Sequence, residues 1–61
     1  MNKDWRLIIE HFDSILSAQC VNNEVFVTGI KDGKDETIIK EFSSMEIAEE
    51  VSLKVSYFIG I

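Results

Sequence analysis

The segment Phe42–Ile47 constrains the fold most, because it marks the end of a strand and the start of a helix. Ser43 is placed to cap that helix, since its hydroxyl can accept a hydrogen bond from the backbone N–H of Glu46. The Glu46 carboxylate completes a capping box by reaching back to Ser43, and Phe42 and Ile47 form a hydrophobic staple. We therefore predict that the chain changes from extended to helical here.

The residues after this start are periodic in two ways. A helix from Ser44 to Ile59 would place the apolar residues of this segment on one face, and Gly60 follows where a helix C-cap belongs. As a strand, residues 51–57 alternate apolar and polar side chains with period two. We predict a helix throughout, because the start signal and the periodicity agree. The alternative is a short helix to about Glu50 and a third strand after it.

A second helical pattern runs from about Asp4 to Ala18 and predicts the first helix. Asp4 is placed to cap its N-terminus and to complement the helix dipole. Its apolar face comprises Trp5, Ile8, Ile9, Phe12, Ile15 and Leu16. Gln19 to Asn23 is predicted to be a connection, with Asn22-Asn23 as its turn signal.

Two β-prone segments lie between the predicted helices. Residues 24–30 and 36–42 are rich in β-branched and aromatic residues, and Asp32-Gly33 between them is a strong hairpin signal. The predicted order is helix, strand, strand, helix. This is an α+β fold of αββα type, in which two helices pack on a small antiparallel sheet and residues 1–61 form one domain.

Apolar residues on both faces of this hairpin predict self-association. Val25, Val27 and Ile39 are assigned to an oligomer interface, while Phe26, Ile30 and Ile38 offer the other choice of exposed face. A two-stranded sheet is marginal alone, and 61 residues supply only a small core. We expect a homo-oligomer, most simply a dimer. Which face the chain's own helices cover is left open.

The charge balance disfavours several kinds of partner. Eleven acidic residues against six basic ones give a net charge of −5, which disfavours direct binding to nucleic acid or to anionic membranes. We find no signal-peptide pattern and no apolar run long enough to span a bilayer. A lone thiol suits a reducing compartment. These features predict a cytoplasmic protein.

The chain offers little for catalysis or metal binding. Cys20 is the only cysteine and His11 the only histidine, so neither an intrachain disulfide nor a four-ligand zinc site is available. The two residues could also be considered as a nucleophilic dyad, but they would lie about 13 Å apart along an ideal helix, which is too far for a hydrogen bond. No glycine-rich phosphate loop is present. We predict a protein that is not an enzyme and uses no cofactor or metal.

The second helix carries the best candidate for a binding surface. Leu53 and Tyr57 fall off its apolar face, with acidic residues beside them. The predicted partner-binding set is Glu46, Glu49, Glu50, Leu53 and Tyr57. This set predicts a small acidic interaction module, a regulator or inhibitor that occupies a basic patch on its partner. The alternatives are a structural homo-oligomer without another partner and an acidic mimic of nucleic acid that blocks a basic cleft.

Overall fold

A computed structural model describes residues 4–60, which form two helices and a three-stranded antiparallel sheet. Helix α1 spans Asp4–His11 and helix α2 spans Met45–Ser56. The strands are β1, Ser14–Val21; β2, Glu24–Lys31; and β3, Lys34–Glu41, with β2 in the centre. The α+β class is confirmed. The order is helix, three strands, helix, so the predicted αββα order is wrong by one strand.

The missed strand is β1, which lies where the predicted first helix continued to Ala18. The helix ends at His11, and the Asp13 N–H donates to the Ile30 carbonyl at 2.8 Å as the chain enters the sheet. A β-bulge between Ile15 and Ser17 inserts one residue into the strand. The insertion interrupts the period-two alternation, so the apolar spacing in this segment resembles that of a helix. Pairing with β2 makes it a strand.

Both predicted turns are confirmed, and each uses backbone that few residues adopt readily. Asn22 has φ 56°, and Asp32 and Gly33 have φ 53° and 79°. Asparagine, aspartate and glycine tolerate this left-handed region best. Two-residue connections of this kind join adjacent antiparallel strands directly. The turns therefore set the register of the sheet, with Val21 opposite Glu24 and Lys31 opposite Lys34.

Helix α2 begins one residue later than predicted. Ser44, not Ser43, is the N-cap, and its Oγ accepts from the Ile47 N–H at 3.2 Å. The predicted capping box and staple are therefore out of position by one residue. The cause lies in Phe42, whose N–H and carbonyl both bind Asn23, at 2.8 and 2.9 Å. These bonds keep the chain extended past the end of β3.

The end of α2 decides between the two periodicities of that segment. The helix continues to Ser56 and Tyr57 is its C-cap, so a helix rather than the alternative strand over 51–57 is confirmed, but it ends three residues before the predicted Ile59. Gly60 is not the cap, although its φ of 79° is left-handed. Instead, Ile59 makes a parallel bridge with Ile15, and the Gly60 N–H donates to the Ile15 carbonyl at 3.4 Å.

We expect Ser44→Ala to lower the free energy of unfolding by about 1 kcal/mol, because the Ile47 N–H loses its side-chain acceptor. Ser43→Ala is the matched control, and it should change stability by less than about 0.5 kcal/mol, as exposed sites usually do. Urea unfolding followed by circular dichroism measures both. Equal losses from the two variants would show that Ser44 is not the cap.

The helices cover one face of the sheet, which we call the inner face. Val25 and Val27 on this face are 0% exposed, and Ile38 lies beside Val27 in the register. Residue Ile39 pairs with Phe26 on the opposite, outer face and is 58% exposed. The predicted interface set of Val25, Val27 and Ile39 is therefore split between the two faces. The two valines are buried in the chain's own core.

The core lies between the inner face and the helices. Its buried members are Ile8, Phe12, Ile15, Val25, Val27, Phe42, Ala48, Val51 and Val55. Helix α2 packs chiefly on β1, less on β2, and α1 packs on α2. Strand β3 is left largely uncovered. None of the helices in residues 4–60 combines the length and the apolar character needed to cross a bilayer.

Candidate interaction surface

Helix α2 separates its side chains into a buried face and a solvent-facing one. Its buried residues are Ala48, Val51, Ser52 and Val55. At 100° per residue, the opposite side carries Glu46, Glu50, Leu53 and Tyr57, with Glu49 at its margin. We call these five residues the α2 stripe. They are the five predicted partner-binding residues, and the structure brings them together along about three turns.

The large side chains of the α2 stripe, Leu53 and Tyr57, are mostly exposed to solvent. Leu53 is 63% exposed and Tyr57 is 71% exposed. The three glutamates are exposed as well. Within residues 4–60, none of these carboxylates forms an ion pair. The stripe therefore has two large apolar side chains at the C-terminal end of the helix and three unpaired acidic groups before them.

A cation–aromatic contact draws the one basic residue of α2 away from this stripe. The Lys54 ammonium lies 5.9 Å from the centre of the Trp5 ring, and the Arg6 guanidinium lies 5.7 Å from the same ring. Trp5 also stacks on Phe58, with ring centres 6.2 Å apart. Cations favour the faces of indole rings. Lys54 is thus held on the α1 side of α2, and the acidic charge of the stripe is left without a cation from its own helix.

The outer sheet face is a second exposed surface. In the register its apolar residues are Val21, Phe26, Ile30 and Ile39, and its charged residues are Glu24, Asp35 and Glu41. No lysine or arginine occupies an outer-face position of β1–β3, and Glu24 is directly opposite Glu41. The prediction missed Val21 as part of this surface because that residue was assigned to a connection. The alternation of side chains between the two faces of β2 was the sequence signal that could have revealed this outer surface.

His11 and Cys20 are far apart in the fold. His11 Nε2 contacts the carboxylate of Glu36 at the end of α1. Cys20 is near the other end of β1, about 20 Å along the strand from Ser14, and its thiol faces the Asn22 carbonyl at 3.5 Å. The chain does not fold back to join them. Geometry thus removes the dyad as a catalytic arrangement.

A concavity beside α1 is too small for an ordinary ligand pocket. It lies between α1, β1 and Phe58, holds about 70 Å³ and is lined by Ile9, Phe12, Asp13, Ser14, Ile15 and Phe58. Ligand pockets usually enclose about 300 Å³ or more. Over residues 4–60, no group of three or more histidine, cysteine or acidic side chains converges as a metal site would require.

The α2 stripe and the outer sheet face are therefore the candidate binding features of the described residues. Comparisons of the chain with protein-family models, with curated protein sequences and with solved structures found no match.

Proposed function

We propose that the protein is a non-enzymatic interaction module that binds another protein through the α2 stripe and acts by occupying that protein's surface. The observation that carries this proposal is the exposure of Leu53 and Tyr57 on a regular helix, next to three acidic groups without cations. Apolar groups rimmed by charge are typical of docking sites. The fitting partner has an apolar recess edged by lysine or arginine, and a regulator or inhibitor would act by covering it.

The two kinds of residue in the stripe have different roles in this proposal. Leu53 and Tyr57 are the anchors, since burying a side chain of this size contributes about 1.5–3 kcal/mol. Tyrosine adds a polar tip at a low cost in conformational entropy. Glu46, Glu49 and Glu50 provide charge that attracts a basic surface and accelerates association. Helix α2 packs on the sheet and on α1, so it presents the stripe without first having to fold.

The experiment compares matched variants in partner capture from the source cells. The double variant Leu53→Ala/Tyr57→Ala is expected to bind any captured partner at least tenfold more weakly. A loss of about 1.4 kcal/mol of binding free energy from these two side chains corresponds to that factor. Leu7→Ala is the control, since Leu7 is 64% exposed and lies on α1, away from the stripe. A protein retained equally by both variants would not be bound through the α2 stripe, and retention of every captured protein would contradict the proposal.

Charge gives an independent test on any partner so identified. Changing Glu49 and Glu50 to lysine should slow association and weaken its dependence on salt, while dissociation changes less. Surface plasmon resonance at two salt concentrations separates the two rates. Binding that is insensitive to both substitutions would exclude these acidic groups from the interface.

A structural homo-oligomer is the second candidate function. It is favoured by one observation, which is that both edges of the sheet and its outer face lack a covering element over most of their length. In that case, self-association would itself be the role of the chain, and no other partner would be needed.

A further inference from the structure

Strand β1 leaves backbone hydrogen-bonding groups free along its outer edge. The two-residue turn places Val21 and Glu24 in a hydrogen-bonded pair, and bonding then alternates along the strands. Val21, Gln19 and Ser17 therefore bond to β2, whereas the N–H and carbonyl groups of Ala18 and Cys20 point away from the sheet. These four groups are available to another strand.

The two edges of the sheet differ sharply in charge. Strand β3 carries Lys34, Asp35, Glu36, Lys40 and Glu41, five of its eight residues. Charged residues of this kind protect an edge strand against pairing. Strand β1 has the sequence SILSAQCV and contains no charged residue. The edge that is left without electrostatic protection is therefore β1.

The start of this edge already accepts one backbone contact in the structure, an isolated bridge. Ile59 pairs in parallel with Ile15, and the Gly60 N–H donates to the Ile15 carbonyl. This contact and the bulge occupy the start of β1. The free stretch therefore extends from the bulge to the Asn22-Asn23 turn, and its midpoint is close to Gln19. A partner strand centred on Gln19 uses the whole free stretch.

We propose that a second copy of this chain pairs with β1 in antiparallel orientation, about a twofold axis at Gln19. Ala18 is then opposite Cys20 of the second copy, and each such pair exchanges two N–H···O bonds. Gln19 is opposite its own equivalent, and Ser17 is opposite Val21. The two sheets become one continuous sheet of six strands, and no pair in this register brings like charges together.

The position of α2 argues for a second copy rather than an isolated extended peptide. The helix packs over β1 and β2, so its axis lies about 4.8 Å from the proposed twofold axis, given the usual spacing of strands. The two α2 helices would then be about 10 Å apart, which is an ordinary distance for packed helices. The flank of α2 opposite Lys54 and α1 carries Met45, Glu49 and Ser56, and the small side chain of Ser56 allows close approach.

This inference does not depend on the proposed function. Four residues of the α2 stripe, Glu46, Glu50, Leu53 and Tyr57, point away from the sheet and stay exposed in the dimer, whereas Glu49 at the margin of the stripe lies beside the second α2. The anchors of the stripe and the β1 edge can therefore be occupied together. A monomeric protein would overturn the dimer and leave the stripe proposal standing. Conversely, loss of partner capture by stripe variants says nothing about the mass in solution.

The first test is the molar mass by light scattering from about 1 μM to about 1 mM, a range that covers dissociation constants of those sizes. We expect the mass to approach twice the 7.0 kDa of one chain. Ala18→Pro removes an outward N–H and should abolish the dimer while the β1–β2 bonds remain. Thr37→Pro is the matched variant at the centre of the β3 edge, and it should leave the dimer intact.

The second test uses charge at the twofold axis and does not depend on proline. Gln19→Lys and Gln19→Glu each oppose like charges at this point, which should weaken the dimer roughly 2- to 5-fold. An equimolar mixture of the two variants should recover the dimer as a mixed species. A monomer at every concentration, a dimer unaffected by Ala18→Pro, or no recovery in the mixture would each overturn this interface.

Discussion

Phe12→Ala is expected to leave most of the chain unfolded at 25 °C. Phe12 is 6% exposed and belongs to the buried cluster that joins α1 to the sheet. Truncating a buried phenylalanine costs about 3–5 kcal/mol, and a core of this size rarely supplies more than about that amount in total. The expected result is therefore loss of the folded state, rather than a shifted transition.

Circular dichroism and Trp5 fluorescence measure this result together. Trp5 is the only tryptophan, and its ring lies near Phe58 and the Lys54 side chain, so its emission reports whether α1 is docked on α2. Leu7→Ala on the exposed side of α1 should change the free energy of unfolding by less than about 0.5 kcal/mol. A cooperative transition in Phe12→Ala within about 1 kcal/mol of the unsubstituted protein would contradict the burial of this ring in the core.

Gly29→Ala is the second substitution with a large expected effect. A Cβ at this position would lie 2.4 Å from the Ser14 carbonyl oxygen and 2.7 Å from Cδ1 of Phe12. The first neighbour is backbone in the paired strand β1, so it cannot move without disturbing the sheet. Overpacking of this kind usually costs about 1–3 kcal/mol, and a rigid neighbour places the expected loss at the upper end of that range.

Gly33→Ala separates this steric effect from a conformational one. Gly33 has φ 79°, and a Cβ added to it would meet no atom within 4 Å, so its loss of about 1–2 kcal/mol would come from left-handed backbone alone. Gly29 has no such φ, so its loss would come from the clash alone. Urea midpoints for both variants test the difference. Unchanged stability in Gly29→Ala would mean that β1 and Phe12 are less closely packed on β2.

These two positions also connect the core to the proposed binding surface. The Phe12 ring lies against Gly29 at the corner where α1 meets the sheet, and α1 carries Trp5. Trp5 in turn holds Lys54 away from the α2 stripe. A conservative change at Trp5 would therefore alter the charge presented beside Leu53 and Tyr57 without touching either residue.

Local chemistry determined much of this protein from its sequence alone. Asn22-Asn23 and Asp32-Gly33 specify turns because few residues accept positive φ, and strands β2 and β3 follow from those turns. The 3.6-residue period of α2 likewise places Glu46, Glu50, Leu53 and Tyr57 on one face before any contact is known. Each of these features depends on neighbours in the chain, so the sequence contains the information directly.

Contacts between distant residues decided the rest. Residues 14–21 became a strand because β2 offers them a ladder, while the bulge at Leu16 conceals the strand period. The hydrogen bonds between Phe42 and Asn23 moved the helix cap from Ser43 to Ser44. Only the packing of α2 over β1 and β2 determined that Val25 and Val27 are buried and Ile39 is exposed. An alternating strand specifies two faces, but the face that becomes the core is set by the helices that cover it.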